Sequence, residues 1–356
     1  MPVLYMPIIK SKRGEFAAVR LLNAPTKIQI TPLFDVLPPN RFAKKPKSLL
    51  DHLSTVAEHA MDAWLPTRPA WVDTFDVGPE IVSGSQVAIE FIVRTMRARG
   101  LAVIPVTGFQ REPEHDVGVE RVVADYRCGI GIRLEEEDLL LPTRIGALLG
   151  SCLARFGLEP SSADLIIDFR YLDETPRSLR VDQLARAIRH IPDITEWRQL
   201  IVSGSSMPNT LKDVCDRAAS GYLERREWHL RLDLQDSSIQ RMPSFGDYTT
   251  VPPLYSEMDT RMIAKHLGPN VKYTLDGRWF LSRGRSFQEH GGAQYFDIAS
   301  EIAALPEFRG GAASYGDRFI EERAGRASMK SGNPEQWVTA SVNSHISWQI
   351  QRLLKH

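Results

Sequence analysis

"DLIIDF", residues 164–169, runs three apolar residues between two aspartates and closes on a fourth. A strand with one wet face alternates apolar and polar residues, whereas a near-continuous run reads as a strand covered on both faces. Seven other runs read the same way: "LYMPII" (4–9), "IQITPLFDV" (28–36), "WVDTFDV" (71–77), "LAVIPVT" (101–107), "GIGIRL" (129–134), "RQLIVSG" (198–204) and "IQRMPSFGDY" (239–248). Helix-patterned stretches lie between them. "SLLDHLSTVAEHAMDAWL" (48–65) puts Leu49, Leu53, Val56 and Ala60 on one side. "GSQVAIEFIVRTMRARG" (84–100) is framed by the cap residues Ser85 and Gly100. "TRIGALLGSCLARFG" (143–157) and "RVDQLARAIRHI" (180–191) repeat the arrangement, and "TLKDVCDRAASGYLERREWHLRLDL" (210–234) is read as helical, less regularly.

Eight such strands with crossover helices predict a parallel sheet, and eight units in about 250 residues match a (β/α)8 barrel. The alternative is an open doubly wound parallel sheet, against which no glycine-rich fingerprint follows a strand. The expected division is a barrel over 1–250 and a C-terminal appendage over 251–356. The appendage opens with a hairpin, "VKYTLDGRWFLSRG" (271–284), turned at Asp276-Gly277, and continues in helices.

Forty-four basic residues against 44 acidic ones leave no net charge to draw the chain to nucleic acid or anionic lipid. The three cysteines, Cys128, Cys152 and Cys215, form no C-x-x-C pair, which suits a reduced cytoplasm and excludes a disulfide framework. The most apolar stretch, "LLLPTRIGALLGSCLARFGL", is interrupted by Pro142, Arg144 and Arg155, so no membrane span is expected.

In a barrel of this kind the C-terminal ends of the strands face the site. Lys10, Asp35, Asp76, Thr107, Arg133, Asp168 with Arg170, Ser203 with Ser205, and Asp247 end the eight runs, and Glu15 follows the first. Lys10, Glu15, Asp35, Asp76, Arg133, Asp168 and Asp247 form the candidate catalytic set. Its carboxylates suit acid–base work or a divalent cation such as magnesium, and Lys10 and Arg133 suit a phosphate or carboxylate. Polar residues also stand at strand ends simply because the chain leaves the core there. Arg170, Tyr248, Tyr273, Arg283, Tyr315 and Arg318 are candidates for contact with a substrate or partner. Basic residues interleaved with aromatics after residue 270 also suit single-stranded nucleic acid, which the balanced charge does not favour. His52, His59 and His115 fall in polar stretches read as exposed; His229, His266 and His345 stand alone, and zinc is not expected. "RLEEEDLLL" (133–141) reads as the solvated start of a helix.

Ser-aromatic-Gly-Asp occurs twice, in "SFGDY" (244–248) and "SYGDR" (314–318). The first is expected to end a strand with Asp247 facing the barrel mouth. The second is expected to cap a helix through Ser314 or Asp317.

The order of "PIIKSKRGE", "PLFDV", "LIIDF", "MPSFGDYTTVPP", "KYTLDGRWFLSRG" and "NPEQWVTASVNSHI" resembles the Beta protein family over about Met6 to Leu354. That family is named after a satellite-bacteriophage protein and is common in bacterial mobile elements. "FGDY" and the closing Trp-x-x-x-x-x-Asn-x-His are the most specific elements. Asp35 stands where the family pattern has Glu, and Ser344 where it has a second His. The resemblance implies a part in a phage-defence or antitoxin-like cassette, acting on a protein encoded by a neighbouring gene. The alternative from the residues alone is a barrel enzyme, such as a metal-assisted hydrolase or phosphodiesterase.

Overall fold

The structure, a computed structural model, describes residues 3–43, 45–255, 267–325 and 330–355. Its strands are β1 (Tyr5–Lys10), β2 (Leu33–Asp35), β3 (Pro69–Asp73), β4 (Ile81–Ser83), β5 (Gln86–Val87), β6 (Ala102–Thr107), β7 (Ile130–Glu135), β8 (Ala163–Tyr171), β9 (Gln199–Ser205), β10 (Ala219–Glu224), β11 (Ser244–Asp247), β12 (Asn270–Thr274) and β13 (Arg278–Arg283). Its helices are α1 (Arg13–Arg20), α2 (Ala24–Lys27), α3 (Leu49–Ala63), α4 (Ala88–Ala98), α5 (Pro113–Tyr126), α6 (Pro142–Phe156), α7 (Arg177–Arg189), α8 (Arg226–Leu234), α9 (Phe287–His290), α10 (Gln294–Ala303), α11 (Tyr315–Ala324) and α12 (Pro334–Leu353). No helix among the described residues is long and apolar enough to cross a membrane.

Eight strands close an all-parallel barrel in the order β1-β11-β9-β8-β7-β6-β3-β2, so the closed-barrel expectation holds and the open sheet does not. The strands read as continuous apolar runs because both faces are buried. One face packs on the helices through Tyr5, Ile9, Phe34, Val72, Ile132, Ile167 and Phe245. The other fills the barrel with Met6, Ile8, Leu33, Trp71, Ile104, Ile166 and Ile201. The period of two that sorts these sets also decides which polar side chains point inward above the plug.

Among the described residues the eighth outer helix comes last. α12 starts with an Asn333 capping box and Pro334 at its first turn, the combination that fixes a helix start. It lies along α1, where Asn343 Nδ2 donates to the Ala18 carbonyl and Thr339 Oγ1 to that of Gly14. Val342, Ile346, Ile350 and Leu353 join the main core, so this helix covers the barrel wall.

Between β11 and α12 the expected hairpin forms, β12 against β13, turned through Asp276-Gly277. Its other edge pairs with β10, which the sequence reading placed inside a helix over 210–234. That segment is a 3-10 turn at Leu211–Asp213, a strand and only then α8. The strand is built by partners about sixty positions later, and its mixed exposure hides its period. Likewise β5 and a short hairpin precede α4, so that helix starts at Ala88 rather than at Ser85. The acids of "RLEEEDLLL" end β7 and form a 3-10 turn at Glu136–Leu140, one step ahead of α6.

Two glycines calibrate the packing. A Cβ on Gly316 in α11 would fall on the Ala340 carbonyl of α12, whereas one on Gly150, exposed in α6, would meet nothing within 4 Å. Gly316→Ala should therefore cost about 1–3 kcal/mol through overpacking, and Gly150→Ala should add up to about 1 kcal/mol by helix propensity. Denaturant unfolding of the two variants checks both signs.

Candidate functional site

Above the apolar plug, strand parity brings charged side chains together. Lys10 ends β1 and its Nζ donates to Asp35 Oδ2 at 3.1 Å, with Asp76 Oδ2 at 3.8 Å. Arg133 on β7 sends Nε and Nη2 to Asp168 Oδ2 at 3.0 and 2.6 Å, and Nη1 to Asp73 Oδ2 at 2.5 Å. Tyr248 joins the two groups. Its hydroxyl donates to Asp168 Oδ2 at 2.6 Å and accepts from Arg133 Nη2 at 2.5 Å, and Lys10 Nζ lies 5.6 Å from its ring centroid. Lys10, Asp35, Arg133, Asp168 and Tyr248 are all buried.

Of the residues singled out in the sequence, Lys10, Asp35, Asp76, Arg133, Asp168, Arg170 and Tyr248 meet here. Asp76 does not end β3; the strand stops at Asp73, and Asp76 reaches Lys10 from the loop that follows. Asp73 itself and Arg111, which donates to it at 2.9 Å, were missed. The signal for Asp73 was the alternation: Trp71 points inward, so the residue two further on does too. Phe75, between Asp73 and Asp76, is flanked by the guanidinium groups of Arg111 at 4.6 Å and Arg170 at 4.1 Å.

Glu15 is adjacent but different. Its Oε2 accepts the Lys10 backbone N–H at 2.9 Å, so it braces the start of α1. Asp247 faces the other way. Tyr248 is the inward residue, and Asp247, one position earlier, points outside the barrel wall toward Tyr5 and His345 of α12. The expectation that Asp247 faces the mouth is thus corrected by one step of strand parity. The second Ser-aromatic-Gly-Asp does cap a helix: Ser314 Oγ accepts the Asp317 N–H at 3.0 Å. Asp317 is more than a cap, because it is buried and receives the Tyr273 hydroxyl at 2.7 Å and Arg309 at 3.2 Å. Arg283 donates to the Cys215 carbonyl, Tyr315 tilts against Phe319, and Arg318 is exposed; like Tyr273 they belong to the appendage. His115, read as exposed, is buried on the Val106 carbonyl, and His266 lies outside the described residues.

Burial alone would raise every carboxyl here. For Asp168 the opposing pull of Arg133 and Arg170, with the Tyr248 hydrogen bond, wins and holds it below the usual carboxylate range. Asp73 is likewise held low against burial, by Arg111 and Arg133. Asp76 goes the other way: burial and the neighbouring Asp35 raise it. Burial drives the Tyr248 phenol far above its ordinary value, so it stays a proton donor. The mouth thus sets two acids held low, Asp73 and Asp168, beside one rim acid, Asp76, pushed the other way.

The donor set does not fit a divalent cation. Asp35 and Asp76 close on the Lys10 ammonium, and Asp73 and Asp168 on Arg133. No three His, Cys, Asp or Glu side chains among the described residues are grouped as metal donors.

Two strand ends carry non-glycine residues at positive φ: Arg170 at 49° and the β-branched Thr249 at 54°. Such geometry persists only where surroundings hold it, and it collects at functional sites. The Asp168 carboxylate holds the first through the Arg170 N–H at 2.9 Å, and Asp247 holds the second through the Thr249 N–H at 2.9 Å.

Removing the fork should expose what it neutralises. Arg133→Met leaves Asp73 and Asp168 buried without their shared cation and should cost about 3–5 kcal/mol by denaturant unfolding. Glu15 gives a pH signature. Burial raises it to about 7, against the pull of Lys12 and Lys10, so the folded state holds a proton that the unfolded chain has already released. Stability should therefore fall as pH rises from about 4.5 to 7 and level off above. Glu15→Gln should flatten that slope, so that the gap between variant and wild type widens between pH 5 and pH 8 in thermal melts.

No curated protein sequence matches the chain. The model of the family described as Beta protein matches residues 5–351, nearly the whole length. The chain that builds this buried ionic mouth therefore belongs to the Beta protein family.

Proposed function

We propose that the barrel mouth binds a small neutral or cationic molecule rich in hydrogen-bond donors and carries out acid–base chemistry on it. One observation carries the reading. Among the described residues, the buried side-chain oxygens without a partner are Glu15 Oε1, Asp35 Oδ1, Thr74 Oγ1, Ser203 Oγ and Thr249 Oγ1. Four of the five stand at or just past the C-terminal ends of barrel strands, and Glu15 lies in the first turn of α1, which follows β1. A buried polar atom left unpaired costs about 1–3 kcal/mol, so a cluster of them at one end of a barrel calls for a ligand or ordered water. One of them, Asp35 Oδ1, is a carboxylate oxygen, which asks for a donor.

The charge pattern supports the same class. A phosphate needs cations with free donors. Here Lys10 is taken by Asp35 and Asp76, and Arg133 by Asp73, Asp168 and Tyr248. Arg170 Nη2 at the rim has no hydrogen bond but lies 2.9 Å from Glu135, so a phosphodiesterase reading has little to work with. In the proposed chemistry Asp76, at the solvent edge and raised in pKa, exchanges the proton; Asp35 accepts from the ligand; and Tyr248 holds the ionised Asp168 in place.

The second reading is the one that family resemblance implies: restraint of a partner protein encoded nearby, in a defence or antitoxin-like cassette. It is favoured by exposed apolar side chains in the segments that follow barrel strands: Ile81 of β4, Leu140 and Leu141 at the end of the 3-10 turn, and Leu179 in the first turn of α7.

Thermal melts with matched compounds separate the readings. Adenosine against adenosine monophosphate, and glucosamine against glucosamine 6-phosphate, differ chiefly in the anion. The unphosphorylated members should raise the melting temperature of the wild type and not of Asp35→Asn. Stabilisation by the phosphorylated members alone would overturn the substrate class. Silence of every compound, with a neighbouring gene product that co-purifies equally with both proteins, would favour the partner reading.

A further inference from the structure

We infer that Asp247 and His345, outside the barrel wall, are positioning residues for Tyr248 inside it. β11 ends in Asp247, Tyr248 and Thr249, and the turn there is built from the Asp247 side chain. Its Oδ1 accepts the Thr249 N–H at 2.9 Å, spanning Tyr248 in an Asx-type turn. Thr249 stands at φ 54°, which a β-branched residue adopts only under constraint.

The constraint comes from three other elements. Tyr5 of β1 donates its hydroxyl to Asp247 Oδ1 at 2.5 Å, and His345 of α12 sits on Oδ2 at 2.9 Å. Thr274 of β12 meets His345 Nδ1 at 2.9 Å, and the imidazole stacks on Trp279 at 5.1 Å. A carboxylate only accepts, so His345 Nε2 carries the hydrogen, and Nδ1 takes that of Thr274. Arg225 Nη2 lies 3.8 Å from Asp247 Oδ2 and completes the surround. All of these groups are buried, which rules out a solvent-facing role, and Arg225 ties the set to Glu227, Gln349 and the Leu275 carbonyl as well.

On the inner face the same turn aims the Tyr248 hydroxyl at Asp168 and Arg133. If His345 is lost, Asp247 loses its orientation and Thr249 is free to return to negative φ. The peptide carrying Tyr248 then rotates and the hydroxyl leaves Asp168. The appendage and the eighth helix thereby act on the mouth from the outer side of β11. Only the consequence for ligand binding rests on the reading of the mouth as the site; the placement of Tyr248 is measurable by itself.

The test labels the full-length protein with tyrosine carrying 13C at the phenolic carbon, whose shift follows hydrogen bonding. Tyr248→Phe assigns the signal among the 9 tyrosines. Thr274→Val and His345→Ala should both move the Tyr248 resonance toward that of exposed tyrosine. His345→Gln, which keeps an N–H for Asp247, should bring it back, and so should Thr249→Gly added to His345→Ala, because glycine needs no brace at positive φ. An unmoved Tyr248 resonance in folded His345→Ala overturns the inference; if that variant does not fold, an unmoved resonance in Thr274→Val does. A resonance that moves while neither adenosine nor glucosamine stabilises the wild type supports the positioning and sinks the reading of the mouth instead.

Discussion

The Arg133 guanidinium is the piece on which the mouth depends. It is buried with Asp73, Asp168 and Tyr248 around it, and each of its three nitrogens is used. Taking such charges out of water costs several kcal/mol per ion, which attraction repays only when the geometry is good and the remaining lone pairs are filled. Apolar side chains of similar volume would close the same end of the barrel at no such cost. That they do not, in a barrel otherwise plugged by Met6, Ile8, Leu33, Trp71 and Ile166, is the strongest physical reason to see a site here.

The rest of the molecule can be read as support for that arrangement. Parallel strands deliver Lys10, Asp35, Asp73, Arg133 and Asp168 to one end, because each lies in inward phase near the end of its strand. The outward residue of β11 is gripped by β1 and α12, and β12 braces the α12 histidine that does so. The chain leaves the barrel after β11, builds the appendage on a sheet shared with β10, and returns as the eighth helix. Barrel and appendage therefore meet in one buried polar cluster, with Tyr5, Asp247, Thr274 and His345 contributed by four separate elements.

Much of this was legible in sequence, for reasons that can be named. All eight barrel strands overlap the apolar runs, because double burial leaves a signal that does not depend on pairing partners. Strand-end polar residues were legible for the same reason. What failed was phase and distance. Asp73 and Asp76 sit three apart, and only the exact end of β3 tells which one is on the strand. Asp247 and Tyr248 differ by one step, which exchanges the inside of the barrel for the outside. His345 looked isolated because its partners are 98 and 71 positions away. β10 had no period to show, since its edge is half exposed and its pairing comes from β13.

The central claim is that the mouth is kept ionic and strained in order to hold a small donor-rich molecule. Native mass spectrometry after incubation with a metabolite extract tests it most directly, comparing the wild type with Asp35→Asn. The account predicts a neutral or cationic adduct of metabolite size on the wild type and none on the variant, with both proteins equally folded. An adduct shared by both proteins, a phosphorylated one, or none on the wild type would contradict it.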